Sequence, residues 1–200
     1  GSAMALANCR ELLGDGKWDL IHFNFGFEDF FYTDPRTKAR RAMSKHAGGV
    51  RVTTPARYEA NLRELVRLFK ATGAKLIWAS TTPIESSKFD SILDPASELE
   101  FNAIAKKVMV ASGVTINDMH AYVTANILNK RDSSPYGFDR YPLYPPIVRC
   151  MLAELDMTRP VNGPVKVFLM VGGSTHMGHG VVFGGERPRA GKNGTLDDLV

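Results

Sequence analysis

The feature that most constrains this chain is a repeated change of hydrophobic period along it. Short, nearly continuous apolar runs alternate with segments whose apolar residues recur every three or four positions. Trp18-Asp-Leu-Ile-His-Phe-Asn-Phe25 is the first such run, and it ends at Gly26, as a strand buried on both faces should. Thr54-Pro55 then supplies a capping residue and a first-turn proline. Tyr58, Leu62, Leu65, Val66 and Phe69 follow on one helical face, with Gly73 as the stop. Lys75-Leu-Ile-Trp-Ala-Ser-Thr-Thr-Pro83 reads as a second buried strand. Phe101, Ile104, Ala105, Val108 and Met109 line a second helix that stops at Gly113, and Val114 to Asp118 is a third strand. A third helix over Ile147 to Leu155 follows the proline-rich Tyr141-Pro-Leu-Tyr-Pro-Pro146. Val165 to Val171 is the last strand, running into Gly172-Gly173-Ser174.

Strands alternating with helices in this order specify an α/β domain with a parallel sheet and right-handed crossovers. Ligands of such sheets bind outside the carboxyl ends of the strands. Four loops should therefore share one edge: Gly26-Phe-Glu-Asp29, Ser80-Thr-Thr-Pro83, Asn117-Asp-Met-His120 and Gly172-Gly-Ser-Thr-His176.

A length of 200 residues fits one domain, and 44% hydrophobic with 23% charged residues is an ordinary globular balance. No apolar run approaches the ~18–20 residues of a membrane span. The net charge of +4 is dispersed apart from Arg36, Lys38, Arg40, Arg41 and Lys45, so this loop is expected to be solvated and nucleic-acid binding is not expected. Two cysteines, Cys9 and Cys150, cannot make a disulfide framework, and both are read as reduced. Gly1-Ser2-Ala3-Met4 reads as a cleavage scar and start codon, to be set outside the domain.

His22-Phe-Asn-Phe-Gly-Phe-Glu-Asp29 resembles the block of the SGNH (GDSL-type) hydrolases in which a strand ends in Gly-x-Asn-Asp. Tyr58-Glu-Ala-Asn61-Leu62, Thr72 to Pro83, Phe101-Asn102-Ala-Ile-Ala105 and Ile116-Asn-Asp118 are similar to the elements that follow it, over roughly residues 16–125. Such a domain begins with the strand that carries the nucleophile, and too few residues precede Trp18 to supply one. Val165-Lys-Val-Phe-Leu-Met-Val-Gly-Gly-Ser174-Thr-His-Met-Gly-His-Gly180 resembles the nucleophile block of the family's carbohydrate-acetylesterase branch. The resemblance thus implies a flavodoxin-like three-layer parallel sheet whose nucleophile strand comes from the C-terminal segment. Either the chain is circularly permuted, or it carries the back of one such domain and the front of the next. A single domain is expected over residues 5–200, with a main body at 5–156, the strand and nucleophile loop at 165–180 and an irregular tail at 181–200. Strand exchange between two copies is the other way to fill the central slot.

The chemistry implied is hydrolysis of short acyl esters, O-acetylated carbohydrate foremost. It requires an exposed serine, a base and oxyanion donors. Ser174 is the expected nucleophile, since the glycines before it permit a sharp turn. The resemblance implies main-chain oxyanion donors at Ser174 and Gly26 and a side-chain donor at the position of Glu28, where a carboxylate stands in place of an amide. Gly173 and Asn24 are the further oxyanion or pocket residues, strand alternation allowing the Asn24 amide to turn toward the pocket. Where the family carries Asp-x-x-His, this chain has Asp139-Arg-Tyr-Pro. His120, two residues after Asp118, is the expected base. His176, His179, Asp118 and Asp139 are the alternative base or acid residues. His22 is expected in the core and His46 in solvent. No cofactor or metal is expected. A catalytically silent domain that keeps the fold for binding or assembly is the competing reading, because Glu28, the tyrosines near Asp139 and Gly173-Ser-Thr175 all depart from the family pattern.

Overall fold

A computed structural model describes residues 1–15, 17–37, 41–84, 89–126, 144–155, 168–171 and 182–183. Two short helices open the chain, α1 (Ser2–Ala7) and α2 (Cys9–Leu13), and lead into the strand β1 (Leu20–Phe23). A single turn of helix, α3 (Phe27–Phe30), follows Gly26. Next come β2 (Tyr32–Thr33), a 3-10 turn (Lys45–Ala47) and β3 (Val50–Arg51), the two strands pairing antiparallel as a separate hairpin. The remaining order is α4 (Pro55–Lys70), β4 (Lys75–Ala79), α5 (Ser97–Ala111), β5 (Thr115–Asn117), α6 (Met119–Asn126), α7 (Tyr144–Glu154), β6 (Phe168–Val171) and β7 (Val182–Phe183).

The main sheet runs β5-β4-β1-β6-β7. β5, β4, β1 and β6 are mutually parallel, and β7 is antiparallel at the outer edge. The C-terminal strand therefore occupies the place beside β1, with Leu20 opposite Phe168 and Phe23 opposite Val171. The α/β, flavodoxin-like architecture expected from the sequence is the one observed.

Local chemistry explains the elements that position the site. Thr54 caps α4, its hydroxyl accepting from Arg57 N–H at 3.3 Å, with Pro55 in the first turn. Tyr58, Leu62, Leu65, Val66 and Phe69 all face inward, as their spacing requires. They pack on Ile21 and Phe23 of β1 and on Leu76 and Trp78 of β4, together with Phe101, Ala105, Val108 and Met109 of α5. The alternate strand residues Leu20, His22, Ile77 and Ala79 point to the other face and are buried as well. That burial on both faces is what gives β1 its unbroken apolar run. Gly73 and Gly113 hold the left-handed conformations that end α4 and α5.

Residues 1–4, set aside in the sequence reading, take part in the fold. Ser2 is fully buried at the start of α1, and its N–H and hydroxyl bond the Asp29 carboxylate at 2.6–3.0 Å. Among the described residues no helix is long and apolar enough to cross a membrane.

Candidate functional site at the carboxyl edge of the sheet

The carboxyl ends of β1, β4 and β5 are joined by side-chain hydrogen bonds into one polar edge. Asn24, just past β1, donates its amide to the Ala79 carbonyl at 2.8 Å and to Thr81 Oγ1 at 3.2 Å. Ser80, just past β4, donates to Asp118 Oδ1 at 3.0 Å and accepts from His120 N–H at 2.8 Å. Asp118 also accepts from Ala121 N–H at 3.0 Å, which makes it the cap of α6. Asn102 of α5 grips Thr81 by both backbone groups, accepting from its N–H and donating to its carbonyl, each at 2.8 Å.

Gly26 sits at the centre of this edge. Its φ of 167° is extended backbone open to any residue, so crowding explains the glycine. A Cβ here would overlap Thr81 Oγ1 and lie 3.5 Å from the Phe30 ring. The Gly26 carbonyl accepts from Asp29 N–H at 2.7 Å and Phe30 N–H at 3.2 Å, closing the turn that starts α3. The preceding carbonyl, that of Phe25, accepts from the buried Tyr58 hydroxyl at 2.5 Å. Burial, together with the nearby Asp29 charge, pushes the Tyr58 phenol well above its ordinary pKa, so it stays a proton donor.

Beneath α3 lies a buried polar cluster. Asp29 is fully buried and accepts from Ser2 N–H, from the Ser2 hydroxyl at 2.6 Å and from the Thr53 hydroxyl at 3.0 Å, and Asn61 donates to Ser2 Oγ at 3.0 Å. Hydrogen-bond donors in place of a cation hold this carboxylate. Glu28 points the other way and accepts from the Gly1 nitrogen. A cavity of about 260 Å³ opens beside these residues, lined by Met4, Ala5 and Leu12 on one side and by Asn24, Gly26 and Glu28 on the other.

The expected site residues thus fall into three groups. Gly26, Asn24 and Glu28 stand together at the end of β1, the first with a main-chain N–H for which the described residues provide no acceptor. Asn24 gives its amide to Ala79 and Thr81, and Asp118 is occupied by Ser80 and the α6 cap. His120, half-buried, follows β5, which lies three strand spacings from β6, or about 14 Å. Ser174, Gly173, His176, His179 and Asp139 lie outside the described residues. His22 is buried in β1 and His46 is exposed, as expected. Among the described residues no group of three His, Cys, Asp or Glu side chains forms a metal site. Sequence reasoning missed Tyr58 as a partner of the site, having read it as one of an apolar stripe, and it missed Ser2 with Asp29.

A parallel α/β sheet with polar loops gathered at its carboxyl edge defines a doubly wound α/β fold, the class in which ligands bind outside the carboxyl ends of the strands. A solved structure described as the lipase/acylhydrolase from Enterococcus faecalis shares that fold, with a TM-score of 0.52 and 14% identity over 78% of this chain and 69% of that one. No family model matches the chain, and no curated protein matches it in sequence.

Proposed function

We propose that this chain is a serine hydrolase of short acyl esters, with Ser174 as nucleophile, main-chain N–H groups of Ser174 and Gly26 as oxyanion donors, and O-acetylated carbohydrate as the substrate class. One observation carries the reading. β6 joins β1 in parallel register, Val171 opposite Phe23, so the carboxyl end of β6 lies at the edge that holds Gly26. Ser174 follows three residues later. The fold shared with a lipase/acylhydrolase supports the same class. In this reading the C-terminal strand fills the nucleophile strand's place, and the chain is permuted relative to the family it resembles. A segment spanning parts of two such domains is the alternative origin.

In the reaction the Ser174 hydroxyl adds to the ester carbonyl carbon while a base takes its proton. The carbonyl oxygen gains negative charge and is met by the N–H donors. The alcohol leaves with the proton, and water then releases the acid from the acyl-serine. His120 is the base in this reading, with His176 and His179 as the alternatives. The exits of β5 and β6 are separated by about 14 Å, so His120 acts across the carboxyl edge from the turn after β5. His176 and His179 come two and five residues after Ser174 in the chain.

The test is turnover of p-nitrophenyl acetate by the full chain and by Ser174→Ala. A loss of about 10³-fold or more is expected, and equal rates would overturn the assignment. A second reading, binding without turnover, draws on the commitment of Asn24, Glu28 and Asp118 to protein partners. It predicts saturable binding of acetylated sugar with no Ser174-dependent release of acetate.

A further inference from the structure

The peptide linking Phe25 to Gly26 is held at one end and, among the described residues, open at the other. Its carbonyl, that of Phe25, accepts from the Tyr58 hydroxyl at 2.5 Å. Its N–H, that of Gly26, has no acceptor among the described residues. Among the described residues no peptide bond is cis, so this N–H points directly away from the carbonyl that Tyr58 holds. Fixing the oxygen fixes the direction of the donor. Hydrogen bonding to the carbonyl also polarises the amide and strengthens its N–H as a donor, since bonds in a chain reinforce one another in a low-dielectric interior.

Tyr58 is well built for such a task. It is 1% exposed, it comes from the second turn of α4, and its ring packs against Phe101 of α5 with centroids 4.7 Å apart. The hydroxyl therefore has little freedom to leave the Phe25 carbonyl. On the other flank Thr81, gripped by Asn102, fills the space a Gly26 side chain would need, so the glycine cannot slide toward β4. The following carbonyl is held by the α3 turn. Three elements thus converge on one peptide plane, and the group they leave open is its N–H.

We propose that Tyr58 is a positioning residue for the Gly26 N–H, which it aims and polarises through the Phe25 carbonyl. The proposal rests on the hydrolase reading for its catalytic consequence, though the aiming itself can be observed without turnover. Tyr58 touches no reacting atom. Its loss should raise the barrier of the step in which the oxyanion forms while leaving ester binding alone, because the donor matters most where charge develops.

The experiment compares wild type, Tyr58→Phe and Tyr32→Phe, with kcat and KM on p-nitrophenyl acetate and amide NMR on the same samples. Tyr32→Phe removes a hydroxyl bonded to Asp94 at 2.8 Å on the hairpin, and serves as the control for a merely structural loss. Tyr58→Phe should lower kcat by about tenfold with KM within about twofold. It should also shift the Gly26 amide resonance and speed its exchange while amides within β1 and β4 keep their protection. Tyr32→Phe should do neither. An unchanged Gly26 amide in Tyr58→Phe, or a parallel loss of protection through the whole sheet, would overturn the proposal. So would a fall in activity carried by KM alone. If wild type shows no Ser174-dependent turnover, the hydrolase reading fails by itself, and the Gly26 amide alone then decides whether Tyr58 aims it.

Discussion

At the scale of single residues, Gly26 shows how a close approach can require glycine without any unusual dihedral angle. A methyl group there would overlap a threonine hydroxyl that Asn24 and Asn102 hold in place. Gly26→Ala should destabilise by about 1–3 kcal/mol, as overpacking of a tight site does. Adding Thr81→Ala should return part of that loss, which a double-mutant cycle in denaturant would measure. The same reasoning gives Asp29 a large role in stability. Asp29→Leu strands the Ser2 N–H and the Ser2 and Thr53 hydroxyls in the interior and should cost about 3 kcal/mol or more, read by urea unfolding. None of this was legible in the sequence. Ser2 and Asp29 are 27 positions apart, and a buried polar pair leaves no periodic trace as an apolar face does. Tyr58 was legible only in part: its spacing placed it in the core, while the partner of its hydroxyl depends on the path of a different strand.

At the scale of elements, α4 was legible because its cap, apolar period and terminal glycine all agree, and α5 because its apolar period and terminal glycine do; agreement between levels is what makes a segment readable. The β2–β3 hairpin was not. Its strands are two residues each, too short for a period of two to be seen, and side chains distant in sequence hold it in place. Asp94 accepts from Tyr32, from Lys45 at 3.2 Å and from Arg51 at 2.8 Å, and so ties the hairpin to the segment before α5. Partial burial pushes the Asp94 carboxyl up, but hydrogen bonds from Tyr32, Arg51 and Lys45 outweigh it and leave the pKa below its ordinary value. A carboxylate depressed on folding adds stability above its unfolded pKa, and this is lost as pH falls through the folded value. The melting-temperature gap between wild type and Asp94→Asn should therefore be full at neutral pH and shrink as pH drops below about 4. A gap that stays constant down to acid pH would show that Asp94 contributes no charge-dependent tie.

At the scale of the whole molecule, the parallel order of the strands and the gathering of the loops after β1, β4 and β5 at one edge followed from the alternation of strand and helix patterns. The place of the C-terminal strand was expected from the need to cover β1, all four of whose residues are buried. β6 lies between β1 and β7, so removing residues 165–200 turns β1 into an exposed apolar edge. That truncated chain should aggregate or fail to melt cooperatively, and a soluble, cooperatively melting fragment would show that the tail is dispensable to the sheet. What the sequence left open was the base, because His120 follows β5 and His176 and His179 follow Ser174 in the chain, and neither periodicity nor a complete Asp-x-x-His motif singles one out. The central claim is that the Gly26 edge and the residues that follow β6 in the chain make one esterase site. Treating the full chain with a fluorophosphonate and locating the adduct by mass spectrometry tests this most directly. The account predicts a single phosphonylated residue, Ser174, with no label on Ser174→Ala. Absence of any adduct, or one at another serine such as Ser80, would contradict it.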